Sequence, residues 1–74
     1  MDSQRLLERL QEFFPDSQIQ VKDLTGGGDY WQVQVKSTLF RGKSLVEQHQ
    51  MVYQAVGEWM KKDIHALQLD TQEL

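Results

Sequence analysis

The two histidines, His49 and His65, are the side chains of this sequence that could take part in metal chemistry. His49 lies near the centre of the apolar face of a long predicted helix, which favours a packed, hydrogen-bonded core residue. His65 follows Ile64 at the start of a predicted strand. If Ile64 and Ala66 point inward, His65 points outward. One imidazole is not a metal site by itself, so the residues alone favour a surface position for His65 over a ligand role.

Nucleophilic catalysis has few candidates, because the chain contains no cysteine. A disulfide, a thiolate nucleophile and a Cys-only metal site are therefore excluded within it. Ser44 is better explained as a helix cap, and Ser37 lies at a strand end. A catalytic triad needs three converging groups, whereas the carboxylates are scattered along exposed faces. We therefore expect a protein that is not an enzyme.

The glycine triplet Gly26, Gly27 and Gly28 is the next candidate for chemistry. It lacks the G-x-G-x-x-G spacing and does not lead into a helix, so it is not a phosphate cradle of that kind. The turn preferences of glycine instead predict a flexible hairpin loop.

Three basic residues surround the connector after the second predicted strand: Lys36, Arg41 and Lys43. They could meet phosphate or an acidic partner, or they are ordinary surface charge. The net charge is −3, from eight Lys/Arg and eleven Asp/Glu, whereas nucleic-acid-binding proteins usually show a basic excess. Met51 falls on the polar side of the long helix, where an exposed methionine hints at a contact surface.

The length of 74 residues predicts one domain, residues 1–74. A core of this size is marginal, so a deep catalytic cavity would compete with it. The polar N-terminus lacks the apolar stretch of a signal peptide, and no segment approaches the ~20 apolar residues that span a membrane. We expect a domain of the cytoplasm or of an equivalent organelle stroma, with no membrane association.

The first half of the chain predicts a helix and a hairpin. Apolar residues from Leu6 to Phe14 recur at helical spacing, with Asp2 or Ser3 as the cap and Pro15 as the stop. Residues 18–24 and 30–37 alternate as strands do, and the glycine loop joins them.

The second half predicts a long helix and a third strand. Ser44 and Glu47 fit a capping box, and the helix is expected to end at Asp63. Its predicted buried face contains Leu45, Val46, His49, Val52, Tyr53, Val56, Trp59 and Met60. The third strand is expected over residues 64–70, followed by a frayed tail, residues 71–74.

This order, α-β-β-α-β, predicts an α+β fold with a three-stranded mixed sheet. The second helix is long enough for a crossover, so strands two and three should be parallel and strands one and two antiparallel. Both helices would cover one face and leave the other open to a partner. The residues expected to be largely buried are Leu10, Phe13, Val33, Val35, Val52, Val56, Leu67 and Leu69.

Two stretches of the sequence resemble the BolA family. They are residues 40–53, FRGKSLVEQHQMVY, and residues 63–67, DIHAL, and the α-β-β-α-β order matches over essentially the whole chain. The resemblance implies a fold related to the K-homology type of RNA-binding domain. It also implies a partner, a monothiol CGFS-type glutaredoxin, with which a [2Fe–2S] cluster is shared.

In such pairs glutaredoxin and glutathione supply thiolates, and the BolA-like protein supplies the histidine of the I-H-A-L motif, here His65. Many family members add a Cys or His from the hairpin loop, at or beside the position of Gly27. This loop has neither, so either His65 acts alone or Asp29 or water completes the site. The implied partner surface comprises Gly26, Gly27, Gly28, Asp29, His65 and Met51. The cluster would be present only in the heterodimer, and the isolated chain would be a monomer without a cofactor.

Three functions therefore remain open from the sequence. The first is an adaptor for iron–sulfur trafficking or for iron and redox regulation. The second is a DNA- or RNA-binding regulator that uses Lys36, Arg41 and Lys43, although Gly42 is not followed by the second glycine of a G-x-x-G loop. The third is a protein-interaction module with no metal.

Overall fold

The computed structural model describes residues 1–74 and has the predicted order of elements. Strand β2 (Tyr30–Ser37) lies in the middle of the sheet, between β1 (Gln18–Asp23) and β3 (Ala66–Glu73). β1 is antiparallel to β2, and β3 is parallel to β2. The α+β fold with a three-stranded mixed sheet is thus confirmed.

Two helices with well-defined caps cover one face of this sheet. Helix α1 (Ser3–Phe13) begins after Asp2, whose carboxylate accepts the backbone N–H of Arg5 at 2.8 Å. Helix α2 (Leu45–Val56) begins with the predicted capping box of Ser44 and Glu47. The backbone N–H and the hydroxyl of Ser44 hold the pKa of the Glu47 carboxyl below its ordinary value, because both bonds favour the charged form.

The core lies between the helices and the inner face of the sheet, where β2 contributes Trp31, Val33 and Val35. Most of the predicted core is confirmed, but Phe13 is 48% exposed and its neighbour Phe14 is buried instead. Leu67 and Leu69 are half-buried. The twelve buried apolar residues are Leu6, Leu10, Phe14, Trp31, Val33, Val35, Phe40, Val52, Ala55, Val56, Trp59 and Ile64.

The buried face of α2 differs in phase from the predicted one. Gln48, Val52, Ala55 and Val56 face inward, whereas Leu45 and Val46 are 60% and 66% exposed, and Tyr53 is exposed too. The Nε2 of Gln48 donates to the carbonyl of Lys43 at 3.0 Å, whereas its Oε1 is buried without a hydrogen-bond partner. The rotation leaves His49 half-buried at the edge of the buried face, not in the core.

Met51 was expected on the polar side of α2, but it is half-buried and packs against the core. The same rotation of the helix explains the difference, because it carries residue 51 toward the packed side. Its placement does not favour a partner surface on this side of α2.

Helix α2 also ends earlier than expected, at Val56 and not at Asp63. A short 3-10 turn (Trp59–Lys61) follows Gly57, and the N–H groups of residues 62, 63 and 64 all donate to the carbonyl of Trp59. This tight turn ends the helical segment, and the chain then enters β3.

Strand β3 is displaced toward the C-terminus, because it begins at Ala66 and continues to Glu73. The tail expected to fray is therefore part of the sheet. Thr71 is buried and pairs with Val35. The polar residues at the end of β3 form a strand because β2 pairs with β3 along its full length. Composition alone does not reveal this pairing.

The segment between α2 and β3 is fixed to α1 through Trp59. The guanidinium of Arg9 lies 4.2 Å from the centroid of the Trp59 ring, and that of Arg5 lies 5.2 Å away. Arg9 Nη1 also donates to Glu58 Oε1 at 3.0 Å. Cation–π and ion-pair contacts thus hold the chain in place six residues before His65.

The outer face of the sheet is open, as predicted, and it is polar. A shallow hollow of about 440 Å³ on this face is lined mostly by amide and charged side chains, among them Gln20, Lys22, Gln32, Gln34 and Asp70. Neither helix has the length and apolar character that crossing a bilayer requires.

Candidate functional site

The glycine loop, residues 25–29, is held by an internal carboxylate. Asp23 Oδ1 accepts the backbone N–H groups of Thr25 at 3.3 Å and Gly26 at 2.9 Å, and Oδ2 accepts that of Gly28 at 2.9 Å. The loop that composition predicts to be flexible is thus tied at three of its amides. Asp23 was not among the predicted site residues, although an Asp just before a glycine-rich turn is a signal of such side-chain-to-backbone bonding.

Gly28 is the residue on which the loop packs against the rest of the molecule. Its φ is +78°, and its carbonyl accepts the indole N–H of Trp31 at 3.0 Å. A Cβ at this position would lie 2.5 Å from the carbonyl oxygen of Met1. Both the backbone conformation and the close contact therefore require glycine.

Gly28→Ala is expected to lower the free energy of unfolding by about 2 kcal/mol or more, because it adds left-handed strain and a clash with Met1. Gly26→Ala is the matched control. Gly26 has a similar φ of +80° but no atom within 4 Å of the added Cβ, so only the strain of about 1 kcal/mol applies. Urea unfolding measures both, and equal losses would show that the Met1 contact contributes nothing.

His65 lies beside this loop and is exposed. Its backbone N–H donates to the carbonyl of Asp29 at 2.7 Å, and that of Ala66 donates to the same oxygen at 3.2 Å. Ile64 is buried, His65 and Ala66 are both exposed, and Leu67 is half-buried. The expectation that Ala66 points inward is wrong, but the outward placement of His65 is confirmed. Two successive N–H groups thus share one carbonyl where the chain enters β3.

The imidazole of His65 contacts one aromatic ring. The ring centroids of Tyr30 and His65 are 5.3 Å apart, and the planes meet at 86°, an edge-to-face arrangement. Tyr30 is half-buried, and the nearby Leu24 is 41% exposed. Sequence analysis assigned no role to Tyr30, because the contact joins two residues far apart in the chain.

The carboxylate of Asp29 is turned toward the loop. Asp29 Oδ1 accepts the hydroxyl of Thr25 at 3.3 Å, and it lies 3.2 Å from the position that a Cβ on Gly27 would take. The structure thus brings the glycine loop, Asp29 and His65 together at one end of the sheet.

The basic residues of the connector do not form a free cluster. Arg41 Nε donates to the carbonyl of Leu74 at 3.0 Å and lies 3.9 Å from Glu73 Oε1. Lys36 lies in the sheet, opposite Gln72, and Lys43 is exposed. The charge of Arg41 is therefore partly offset, which weakens the case for phosphate binding at this end.

The donor set of the chain is too small for a metal centre of its own. No group of three or more His, Cys, Asp or Glu side chains could hold a metal ion, and iron–sulfur clusters require thiolates. One imidazole, with a carboxylate nearby, can only add to a site that other molecules mostly build.

A family model described as BolA-like protein matches residues 10–73. The chain belongs to the BolA family. This BolA-family chain is 31% identical over 71 residues to an uncharacterised protein from Rickettsia prowazekii, covering 96% of this chain and 92% of that relative. It is 39% identical over 69 residues to BolA-like protein 3 from Homo sapiens, covering 90% of this chain but 64% of the human protein.

The fold matches solved BolA structures as well. BolA1 from Arabidopsis thaliana superposes with a TM-score of 0.88 at 24% identity, covering 96% of this chain and 89% of that one. At this identity the likeness concerns the fold alone. The family is generally non-catalytic.

Proposed function

We propose that this BolA-family chain is an adaptor that binds a monothiol CGFS-type glutaredoxin and adds the His65 imidazole to a shared [2Fe–2S] cluster. The role would lie in iron–sulfur cluster trafficking or in iron and redox regulation. The observation that carries the proposal is the exposed His65 beside the glycine loop, with its backbone bonded to Asp29. BolA-family proteins are known to partner glutaredoxins.

The residues present fit a shared cluster and not a resident one. Because the chain has no cysteine, the thiolates must come from glutaredoxin and glutathione. When bound, such a cluster supplies one-electron redox chemistry. His65 contributes one neutral nitrogen ligand, which must be unprotonated to bind.

Asp29 is the candidate for a second ligand from this chain. Its Oδ1 lies close to the point from which a side chain at position 27 would project, which is where many family members carry a Cys or His. An oxygen ligand is harder than a thiolate and suits iron–sulfur clusters less well. We therefore propose Asp29 or water as the completing group, and expect a cluster more labile than one with a loop Cys or His.

One titration tests the proposal. The chain is mixed with a CGFS-type glutaredoxin, glutathione, iron and sulfide, and visible absorption and circular dichroism are recorded. A spectrum distinct from that of the glutaredoxin homodimer supports the shared cluster. Binding without spectral change would show a metal-free interaction module instead, and no binding would remove the proposal altogether.

Gly27→Cys is expected to slow the loss of the shared cluster to a chelator, since the cluster gains a thiolate ligand. The backbone at Gly27 is not left-handed, and an added Cβ meets only the side chains of Asp29 at 3.2 Å and Thr25 at 3.5 Å. Both side chains can move aside, so the variant should fold.

Gly27→Ser is the matched control, because it adds nearly the same volume without a thiol. Stopped-flow absorption with excess chelator measures the loss. If serine slows it as much as cysteine, the effect comes from loop packing and the ligand position is wrong.

A further inference from the structure

We infer that Tyr30 is a positioning residue that holds the His65 imidazole in the orientation its site requires. The inference deepens the proposed function and, for its use in a cluster, rests on it. The ordering of His65 by Tyr30 can nevertheless be measured in the isolated chain.

The backbone of His65 is fixed, but its side chain needs a separate restraint. The carbonyl of Asp29 accepts the N–H groups of His65 and Ala66, which sets the main chain. An exposed imidazole on a fixed backbone still has several staggered rotamers. The ring of Tyr30 is the aromatic group in contact with it, at 5.3 Å and 86°, within the range of favourable edge-to-face pairs.

Tyr30 is suited to this task because it is itself firmly placed. It begins β2, its Cα is paired with Ala66 of β3, and its carbonyl accepts the N–H of Leu24 at 2.9 Å. Its side chain is half-buried. Tyr30 therefore belongs to the central strand, is paired with β3 and is bonded to the residue that follows β1.

The expected consequence is a preorganised ligand. A side chain already held in one orientation loses less entropy when it binds. The interaction energy of an aromatic pair of this kind corresponds to about a two- to twelvefold change in affinity. The effect depends on the aromatic ring of Tyr30 and not on its hydroxyl. A phenylalanine at this position should therefore keep His65 oriented, whereas an alanine should not.

The first experiment uses the isolated chain with isotope-labelled histidine. The chain has two histidines, so His49 is an internal reference for His65 in the same spectrum. In Tyr30→Ala we expect the side-chain couplings and ring relaxation of His65 to show rotamer averaging, with His49 unchanged. Tyr30→Phe should keep the wild-type pattern. Tyr53→Ala, at the other tyrosine, which is exposed on α2, is the control for loss of any surface ring.

The second experiment adds glutaredoxin, glutathione, iron and sulfide to the same variants. Tyr30→Ala should weaken the cluster-bearing complex by about two- to twelvefold, and Tyr30→Phe should restore it. Urea unfolding checks that all variants are folded.

The two experiments separate the possible failures. If Tyr30→Ala leaves the His65 rotamers unchanged, the inference is overturned whatever glutaredoxin does. If it frees the ring and His65→Ala weakens the complex while Tyr30→Ala does not, Tyr30 is not a positioning residue for the site. If Tyr30→Ala frees the ring but neither variant affects the cluster, the ordering of His65 stands and the proposed function fails.

Discussion

His65→Ala is expected to remove the spectral contribution that this chain makes to a glutaredoxin-bound cluster, because the variant lacks the one nitrogen ligand that the chain offers. The free energy of unfolding should change by no more than about 0.5 kcal/mol, the usual range for an exposed substitution, since His65 is exposed. Visible circular dichroism of the mixed complex measures the first quantity and urea unfolding the second.

His49→Ala is the matched control and should do the reverse. His49 is half-buried on α2, so its removal should lower stability while sparing the spectrum. An outcome in which His65→Ala unfolds the chain and leaves the cluster spectrum intact would make the ligand assignment wrong. The interaction module without metal would then be the better account.

Leu10→Ala should have the largest effect on stability, a loss of about 2–4 kcal/mol, because a fully buried leucine is replaced and a cavity remains. Leu10 is 0% exposed and belongs to the core between α1 and the sheet. Val52→Ala on α2, also 0% exposed, should lower stability in the same way.

Phe13→Ala provides the contrast, because Phe13 is three residues from Leu10 on the same helix but 48% exposed. Its loss should cost less than about 1 kcal/mol, in the range of surface changes. Thermal or urea unfolding of the variants measures the difference. If Phe13→Ala proved as costly as Leu10→Ala, the orientation of α1 would be wrong.

The elements that the sequence predicts well are those fixed by local signals. The alternation of residues 30–37 matches β2 at both ends, and the capping box marks the start of α2. The crossover rule gives the parallel pairing of β2 and β3. Each of these follows from contacts within a few residues or from the general rule that a long crossover connection joins parallel strands.

The elements that the sequence predicts poorly depend on distant partners. The apolar face of α2 is broad, and packing against the rest of the molecule decides which part of it is buried. This packing brings Gln48 and Ala55 inward in place of Leu45 and Val46. The polar end of β3 becomes a strand because β2 pairs with it over its whole length. Helical periodicity and residue type cannot contain this information.

The candidate site divides in the same way. Its single histidine and its glycine loop could be found from the motif and from composition. The role of the Asp23 carboxylate could also be predicted locally, because an Asp before a glycine-rich turn often accepts backbone N–H groups of that turn. The contact between Tyr30 and His65 has no such local signal, because it arises from the pairing of β2 with β3.

The position of Met1 has a practical consequence for fusion proteins of this chain. An affinity tag fused ahead of Met1 would be attached where the main chain packs on Gly28, next to the candidate site. A tag after Leu74 would be attached at the far end of β3, about seven residue steps or roughly 23 Å from Ala66 at the strand spacing of 3.3 Å. Fusion at the carboxyl end is therefore the safer choice for pull-down, surface immobilisation and fluorescent labelling.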